Sequence, residues 1–307
     1  MAECANCGVT LVGGYCHACG QKRFDERDRR FGHLLHQFIE SATDLDNRVW
    51  RSLRALLFQP GLLTREYFLG RRSRWISPIS LFLAVNVVYF LAPLHGGDLT
   101  LQFDQQVTGR VRALASEPGA ALDERQRTQE GQTHARYTMA WIDARVRERD
   151  AAARVESDGA DGYTYRDYRK AYDAKADDVS KALIILHLPF AALALTLMFA
   201  RQRRYFAEHI VFALHYFAFL LAALQVAAQV HGLLQSASTE TSAMAVVALD
   251  WVMRVLFPAY AVLAIRRAYA VGWLVAFATG AGFVAMILGV NLYVYRAVQF
   301  AITFALT

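Results

Sequence analysis

Glu208–His231 reads EHIVFALHYFAFLLAALQVAAQVH, with no formal charge after its first residue. A hydrocarbon core of about 30 Å takes roughly 17–25 apolar residues as helix, so the stretch is long enough to cross a bilayer. It does not alternate apolar and polar residues, as a barrel strand would, and a helix satisfies its own backbone in lipid. Four more segments read the same way. Ile76–Pro93 (ISPISLFLAVNVVYFLAP) and Ala182–Ala200 carry no charge, Ala243–Ile265 is interrupted by Asp250 and Arg254, and Val271–Tyr295 runs on in apolar character through Arg296 to Thr307. Pro189 and Pro258 fall inside two of these segments, where kinks are expected.

The rest of the chain has the opposite character. Outside 76–93 and 182–307 there are 26 Lys/Arg and 24 Asp/Glu, against seven and three within those portions. Hydrophobic residues make up 55% of the 307 before Gly is counted, above the about 45–50% that soluble domains reach with Gly included. This segregation excludes a single soluble globule, a disordered tail protein and a collagen-like chain. The expected fold is an all-α polytopic membrane protein with five transmembrane helices, a small N-terminal four-cysteine zinc ribbon and a helical external loop. Its parts are a ribbon at 1–24, a cytosolic amphipathic helix and basic juxtamembrane segment at 25–75, a first span at 76–93, the loop at 94–181, and a four-helix region at 182–307.

Basic residues set the orientation. Arg65, Arg71, Arg72 and Arg74 precede the first span, Arg201, Arg203 and Arg204 lie between the second and third, and Arg266 and Arg267 between the fourth and fifth. The opposite short loop, Gly232–Ser242, has none. The pattern predicts a cytosolic N-terminus, an external C-terminus and a place in a bacterial inner membrane. The first 30 residues contain no apolar h-region, so the first span is expected to direct insertion.

All four cysteines lie at Cys4-Ala-Asn-Cys7 and Cys16-His-Ala-Cys19. Two Cys-x-x-Cys pairs on a short connection can set four thiolates at the corners of a tetrahedron, which suits a structural Zn²⁺. Gly8 and Gly20 let the chain curl around each second sulfur. Disulfides need an oxidising compartment, which the predicted orientation denies this segment. Redox or iron–sulfur use are the remaining alternatives, and His17 reads as a bystander. Four thiolates leave no open coordination position, so metal-centred catalysis is not expected here. The ribbon is expected either to present a surface to a cytosolic protein partner or to cap the membrane domain.

Phe31, Leu35, Phe38, Ala42, Leu45, Val49, Leu53 and Leu56 recur in steps of three and four, which predicts one helix ended by Pro60-Gly61. Arginines mixed with aromatics in Tyr67–Trp75 invite a nucleic-acid reading. Membrane lipids with anionic headgroups explain the same residues more economically, and nucleic acid is not expected as a partner.

Cys16-His-Ala-Cys19-Gly-Gln21, Asp44-Leu45-Asp46, Gln59-Pro60-Gly61-Leu62, Arg65-Glu66-Tyr67, Gly70-Arg71-Arg72 and Ser77-Pro78 together resemble a bacterial membrane family catalogued as domain of unknown function 3667. The resemblance covers about residues 4–82, with a looser echo at Glu208–His215. It implies a membrane protein with an N-terminal zinc ribbon, and brings no reaction, substrate or catalytic residue.

In Leu94–Lys181, residues 122–157 and 163–181 read as two charged helices around Asp158-Gly-Ala-Asp-Gly162. Tyr137, Met139, Trp141, Ile142, Val146 and Val155 offer few apolar side chains, so a sizeable core is not expected in this loop. It reads as a solvated element, with partner capture or homo-oligomer formation as the alternative.

Ionisable groups at membrane depth default to functional candidates. Asp250 and Arg254, four residues apart, are expected to pair on one helix face. Glu208, His215 and Gln229 recur at multiples of seven, with Gln225 four before Gln229, and share a face from which His209 is rotated by about 100°. His187, Asn86 and Asn291 can reach the same interior. Interhelical hydrogen bonds are the simpler use of these groups. No P-loop, dinucleotide or nucleophile-elbow motif is present, nor H-E-x-x-H. The expectation is a non-enzymatic scaffold, assembly or sensing protein whose ribbon docks a partner. The alternative is a small transporter or channel using Asp250/Arg254 and Glu208/His215.

Overall fold

A computed structural model describes residues 3–21, 23, 48–91, 135–156, 162–202, 204–236 and 240–307. The described elements are helical apart from one antiparallel bridge, Glu3 to Thr10, in the ribbon. The chain forms two compact units, Met1–Gly97 with Leu188–Leu288, and Asp98–His187 with Gly289–Thr307.

In the first unit, helix α1 (Arg48–Phe58) and helix α2 (Leu62–Phe68) are joined by the Pro60-Gly61 turn, and helix α3 (Pro78–Leu91) follows. Pro78 opens α3, where its missing N–H costs nothing. The long helix α7 (Phe206–Ser236) packs along α3 and along helix α8 (Glu240–Tyr269). Helix α9 (Trp273–Gly289) completes the series, with Gly280 so close to α8 that a Cβ there would stand 2.6 Å from Val262 Cγ2. The predicted helix over 31–56 is described only from Arg48, and its earlier positions lie outside the described residues.

The second unit holds helices α4 (Ala135–Glu156), α5 (Tyr165–Leu183) and α10 (Arg296–Leu306), the last preceded by a π-helical stretch, Val290–Tyr295. Thr164 and Asp167 form a reciprocal capping box at the start of α5, satisfying two donors that a helix start leaves open. Asp150 Oδ1 accepts from the Tyr163 backbone 2.9 Å away, and Arg154 pairs with the same carboxylate at 3.0 Å. A sizeable core was not expected within this loop, and the cluster found there draws on a residue outside it. Ile142, Val146, Tyr165, Tyr168, Tyr172, Ala176 and Phe300 form one buried cluster, with Tyr163 and Phe304 against it. The tyrosines lie in a charged stretch and Phe300 comes from the far C-terminus. Counting apolar residues within the loop therefore missed both sources. Residues 94–134, including the predicted Gly96-Gly97 turn, lie outside the described residues except as their unit is assigned.

Among the described residues, three helical segments are long and apolar enough to cross a membrane: Phe206–Leu234, Met244–Tyr269 and Trp273–Leu306. Taken together, Tyr165–Ser180 and Ile184–Met198 make a fourth candidate as a broken span. The expectation of five complete spanning helices is not met among the described residues. Pro78–Leu91 has 14 residues and helix α6 (His187–Met198) has 12, short of the roughly 17 that a spanning helix needs. The apolar segments read from the sequence are longer than these helices, since Ile76-Ser77 precedes the start of α3 and 3₁₀ turns at Ile184–Leu186 and Ala200–Gln202 flank α6. The candidate span Trp273–Leu306 takes in most of the apolar tail whose placement the sequence leaves open.

Gly61 fixes the approach of the α1–α2 turn to α8. Its φ is 73°, and a Cβ would lie 2.4 Å from Ala264 O and 2.8 Å from Ala264 Cα. Both the left-handed backbone and the contact with main-chain atoms exclude a side chain. Gly61→Ala is expected to destabilise the first unit by at least about 2 kcal/mol, read as a lower thermal midpoint in detergent. A midpoint equal to that of the wild type would mean that the turn does not pack against α8 this closely.

Candidate functional site

The four cysteines come together as their spacing predicts. Cys4 and Cys19 sulfurs lie 3.6 Å apart, as do those of Cys7 and Cys16, and all four lie within 4.8 Å of one another. A Zn–S length of about 2.3 Å requires tetrahedral S···S edges of about 3.8 Å. A disulfide requires about 2.05 Å, so these are free thiols grouped around a metal-sized centre.

The two knuckles repeat one local design. Gly8 N donates to Cys4 O and Gly20 N to Cys16 O, each at 2.8 Å, while Cys4 N and Cys16 N donate to Val9 O and Gln21 O at the same distance. Gly8 (φ 76°) and Gly20 (φ 70°) take the left-handed turn that closes each loop. The Gln21 backbone N–H foremost, then Asn6 and the neighbouring thiols, pull Cys19 down to about 6. The Val9 N–H lowers Cys7, yet desolvation and hydrogen bonds to the other three sulfurs push it up to about 12. Four negative sulfurs this close need a cation to ionise together, and the donor set fits Zn²⁺. His17 is exposed, in keeping with a bystander.

Sequence reasoning missed how the ribbon is held. Gln21 is buried and donates from its amide nitrogen to Gly70 O, while its amide oxygen accepts from Arg72 N at 3.1 Å and Ser73 N at 3.2 Å. One side chain thus caps three backbone groups of the basic turn after α2. Neither spacing nor periodicity signals a contact between residues about fifty apart. The one hint is a buried-type amide directly after a ligand knuckle.

Further polar bonds hold α1 and α2 to the bundle. His215 Nδ1 and Thr64 Oγ1 are 2.9 Å apart, and the Tyr260 hydroxyl donates to Leu56 O at 2.7 Å. Ile76 N donates to Ser52 Oγ at 3.1 Å. Glu208 lies in the first turn of α7, where its carboxylate accepts from Tyr205 N at 3.1 Å, with Arg204 at 4.0 Å. It is a helix cap. His209, which the seven-residue face omitted, is also buried. Its Nδ1 meets the Tyr269 hydroxyl at 2.8 Å, and its ring stacks on the same tyrosine. His209 lies off the face that Glu208 and His215 share, and it is buried all the same because α7 is buried around its circumference from Ala207 to Phe219.

Asp250 and Arg254 do not form the expected pair among the described residues. Both are exposed on α8, and the Arg254 guanidinium lies over the Trp251 ring at 5.1 Å. Stacking on the indole competes with the short reach back to the carboxylate. The four intramembrane candidates therefore have separate surroundings: Glu208 at a helix start, His215 against α2, and Asp250 and Arg254 on the outside of α8.

A family model described as Protein of unknown function (DUF3667) matches residues 46–90. The match covers α1, α2 and almost all of α3, elements that pack against α7, and stops short of the cysteines. No curated protein and no solved structure matches the chain.

Purified chain is expected to carry one zinc, measured by metal analysis, and Cys4→Ser to lose it. Binding requires four thiolates, so protons compete with the metal and retention is expected to fall as the solution is made acid. Retention of a full equivalent by Cys4→Ser would reject the four-thiolate site. Gln21→Ala leaves Gly70 O and two backbone N–H groups unpaired and is expected to cost about 2–3 kcal/mol. Proteolysis should then cut near residues 70–73 faster while zinc content holds.

Proposed function

We propose that this chain is a non-catalytic membrane scaffold that holds a cytosolic zinc ribbon in a fixed pose for a protein partner. The supporting observation is the Gln21 clamp. A ribbon on a free tether would have no fixed orientation, whereas three hydrogen bonds from one buried side chain set this one against the turn after α2. The surface it presents includes Val12 and Tyr15, which are 90% and 68% exposed. Apolar and aromatic side chains raised on a small metal-ordered module are the kind of anchor that interfaces bury. Four ligands leave the metal no open position, so its role is to hold shape.

In this reading the chain crosses a bacterial inner membrane five times, with the N-terminus in the cytosol and the C-terminus outside. α3 and α6 complete their crossings with flanking apolar residues. Support comes from the gathering of Arg65, Arg72, Arg204, Arg266 and Arg267 around α2 and the end of α8. Basic residues collect on the cytosolic side of short loops. A pathway through Glu208, His215, Asp250 and Arg254 has no comparable support, since each has different neighbours.

The test is affinity purification from membranes, comparing wild type with Val12→Ser/Tyr15→Ser. A cytosolic protein recovered stoichiometrically with wild type is expected to fall at least tenfold with the variant, about 1.4 kcal/mol, at unchanged zinc content and membrane yield. The same interactors at the same yield would reject the ribbon as a docking module.

A further inference from the structure

Arg65 on α2 and Arg266 and Arg267 in the last turn of α8 are about two hundred positions apart in sequence, yet they line one crevice. With Pro60, Leu263, Ala270 and Val271 they enclose about 550 Å³ that opens to the surface. Among the described residues no carboxylate pairs with any of the three guanidiniums. The Arg266 guanidinium lies over the Trp273 ring at 4.0 Å, a contact with the ring face that does not use up its N–H donors.

The walls are fixed in two ways. Gly61 brings the Pro60 turn against the Ala264 backbone, as described above, and so sets Arg65 beside the end of α8. On the other side α8 ends at Tyr269, Ala270 takes a left-handed φ of 54°, and Val271 N donates to Arg266 O at 3.3 Å. This is the reversal that glycine usually makes after a helix. An alanine in that conformation is strained, and strained residues held by their surroundings gather at ligand sites.

Like charges collected without a counter-ion are costly unless an anion joins them. Three arginines in a fixed crevice match the several oxygens of a phosphoryl group, which guanidinium forks bind in pairs. Leu263 and Trp273 lie near the adjoining ends of two candidate membrane helices, with Val271 in the connection between them, and at such an end headgroup, glycerol and acyl chain would meet. We infer that Arg65, Arg266 and Arg267 form a binding site for a phosphoryl anion, supplied by the headgroup of an anionic phospholipid. The site uses residues outside the ribbon, so it stands or falls separately from the docking role proposed for Val12 and Tyr15.

The experiment uses the full chain reconstituted in phosphatidylcholine vesicles with and without added phosphatidylglycerol, then released for native mass spectrometry. Wild type is expected to retain one phosphatidylglycerol per chain in preference to phosphatidylcholine. Arg65→Gln/Arg267→Gln should lower that retention at least about tenfold, and Arg201→Gln, on an exposed arginine outside the crevice, should leave it unchanged. A parallel arm adds millimolar inorganic phosphate to detergent-solubilised chain and follows the thermal midpoint. A rise in wild type that is absent from the double variant, with no lipid retained, would assign the same phosphoryl site to a soluble ester and overturn the lipid source. Equal lipid retention and equal midpoints in wild type and double variant would overturn the site itself. Should the double variant not assemble, Arg267→Lys carries the test. It keeps the charge but loses the planar fork, so reduced retention supports the site and unchanged retention overturns it.

Discussion

α7 is apolar around its whole circumference for most of its thirty-one residues, and a helix of that kind has no face to offer water. Other elements must enclose it. Two-thirds of its candidate span is buried within the protein, against 17% for the span in α8 and 22% for the one starting at α9. α3 lies along it, α8 returns beside it, and the short helices α1 and α2 close over its first turns. The Phe199, Tyr269 and His209 rings stack at that end, and Arg204 sits over Phe68 and Tyr269. The environment that receives the ribbon is therefore built around the burial of one helix.

Lipid offers no hydrophobic force to hold one span against another, so packing and polar fastenings decide the arrangement. Here the fastenings tie the non-spanning helices to the spanning ones. Thr64–His215 and Tyr260–Leu56 O each join α1 or α2 to a long helix, at a worth of about 1 kcal/mol apiece. Their value lies in direction as much as in strength. A wedge made of α1 and α2 could slide along an apolar surface, and two oriented hydrogen bonds remove that freedom. The Gln21 bonds extend the same system to the ribbon.

What the sequence revealed follows the range of each signal. α7, α8 and α9 were legible because their apolar runs are as long as a bilayer is thick, with Asp250 and Arg254 the only charges inside the α8 run. The cysteine cluster was legible because both knuckles are local and chemically unambiguous. The helical bounds of α3 and α6 were not legible, because a hydropathy window registers apolar residues whether they lie before the helix that Pro78 opens or in a flanking 3₁₀ turn. The core of the second unit was underread because Tyr165, Tyr168 and Tyr172 sit among charges and their partner Phe300 is far away in sequence. His209 was set aside by a helical-wheel argument that holds only for a helix with an exposed side. Gln21 and the pairing of Arg65 with Arg266 and Arg267 depend on tertiary approach, which no window senses.

The Gln21 clamp also links two events that would otherwise be independent. A metal on the four thiolates would hold the ribbon in the shape in which the Gln21 amide meets Gly70, Arg72 and Ser73 together. By thermodynamic reciprocity, the factor by which metal strengthens docking is the factor by which docking strengthens metal affinity. In the orientation proposed above, the turn after α2 would lie at the bilayer approach, so whatever disturbed it, whether lipid, detergent or a bound partner, would also act on the four thiolates. A residue outside the four-cysteine cluster would thereby give the membrane surface a share in setting the affinity of that cluster for a metal.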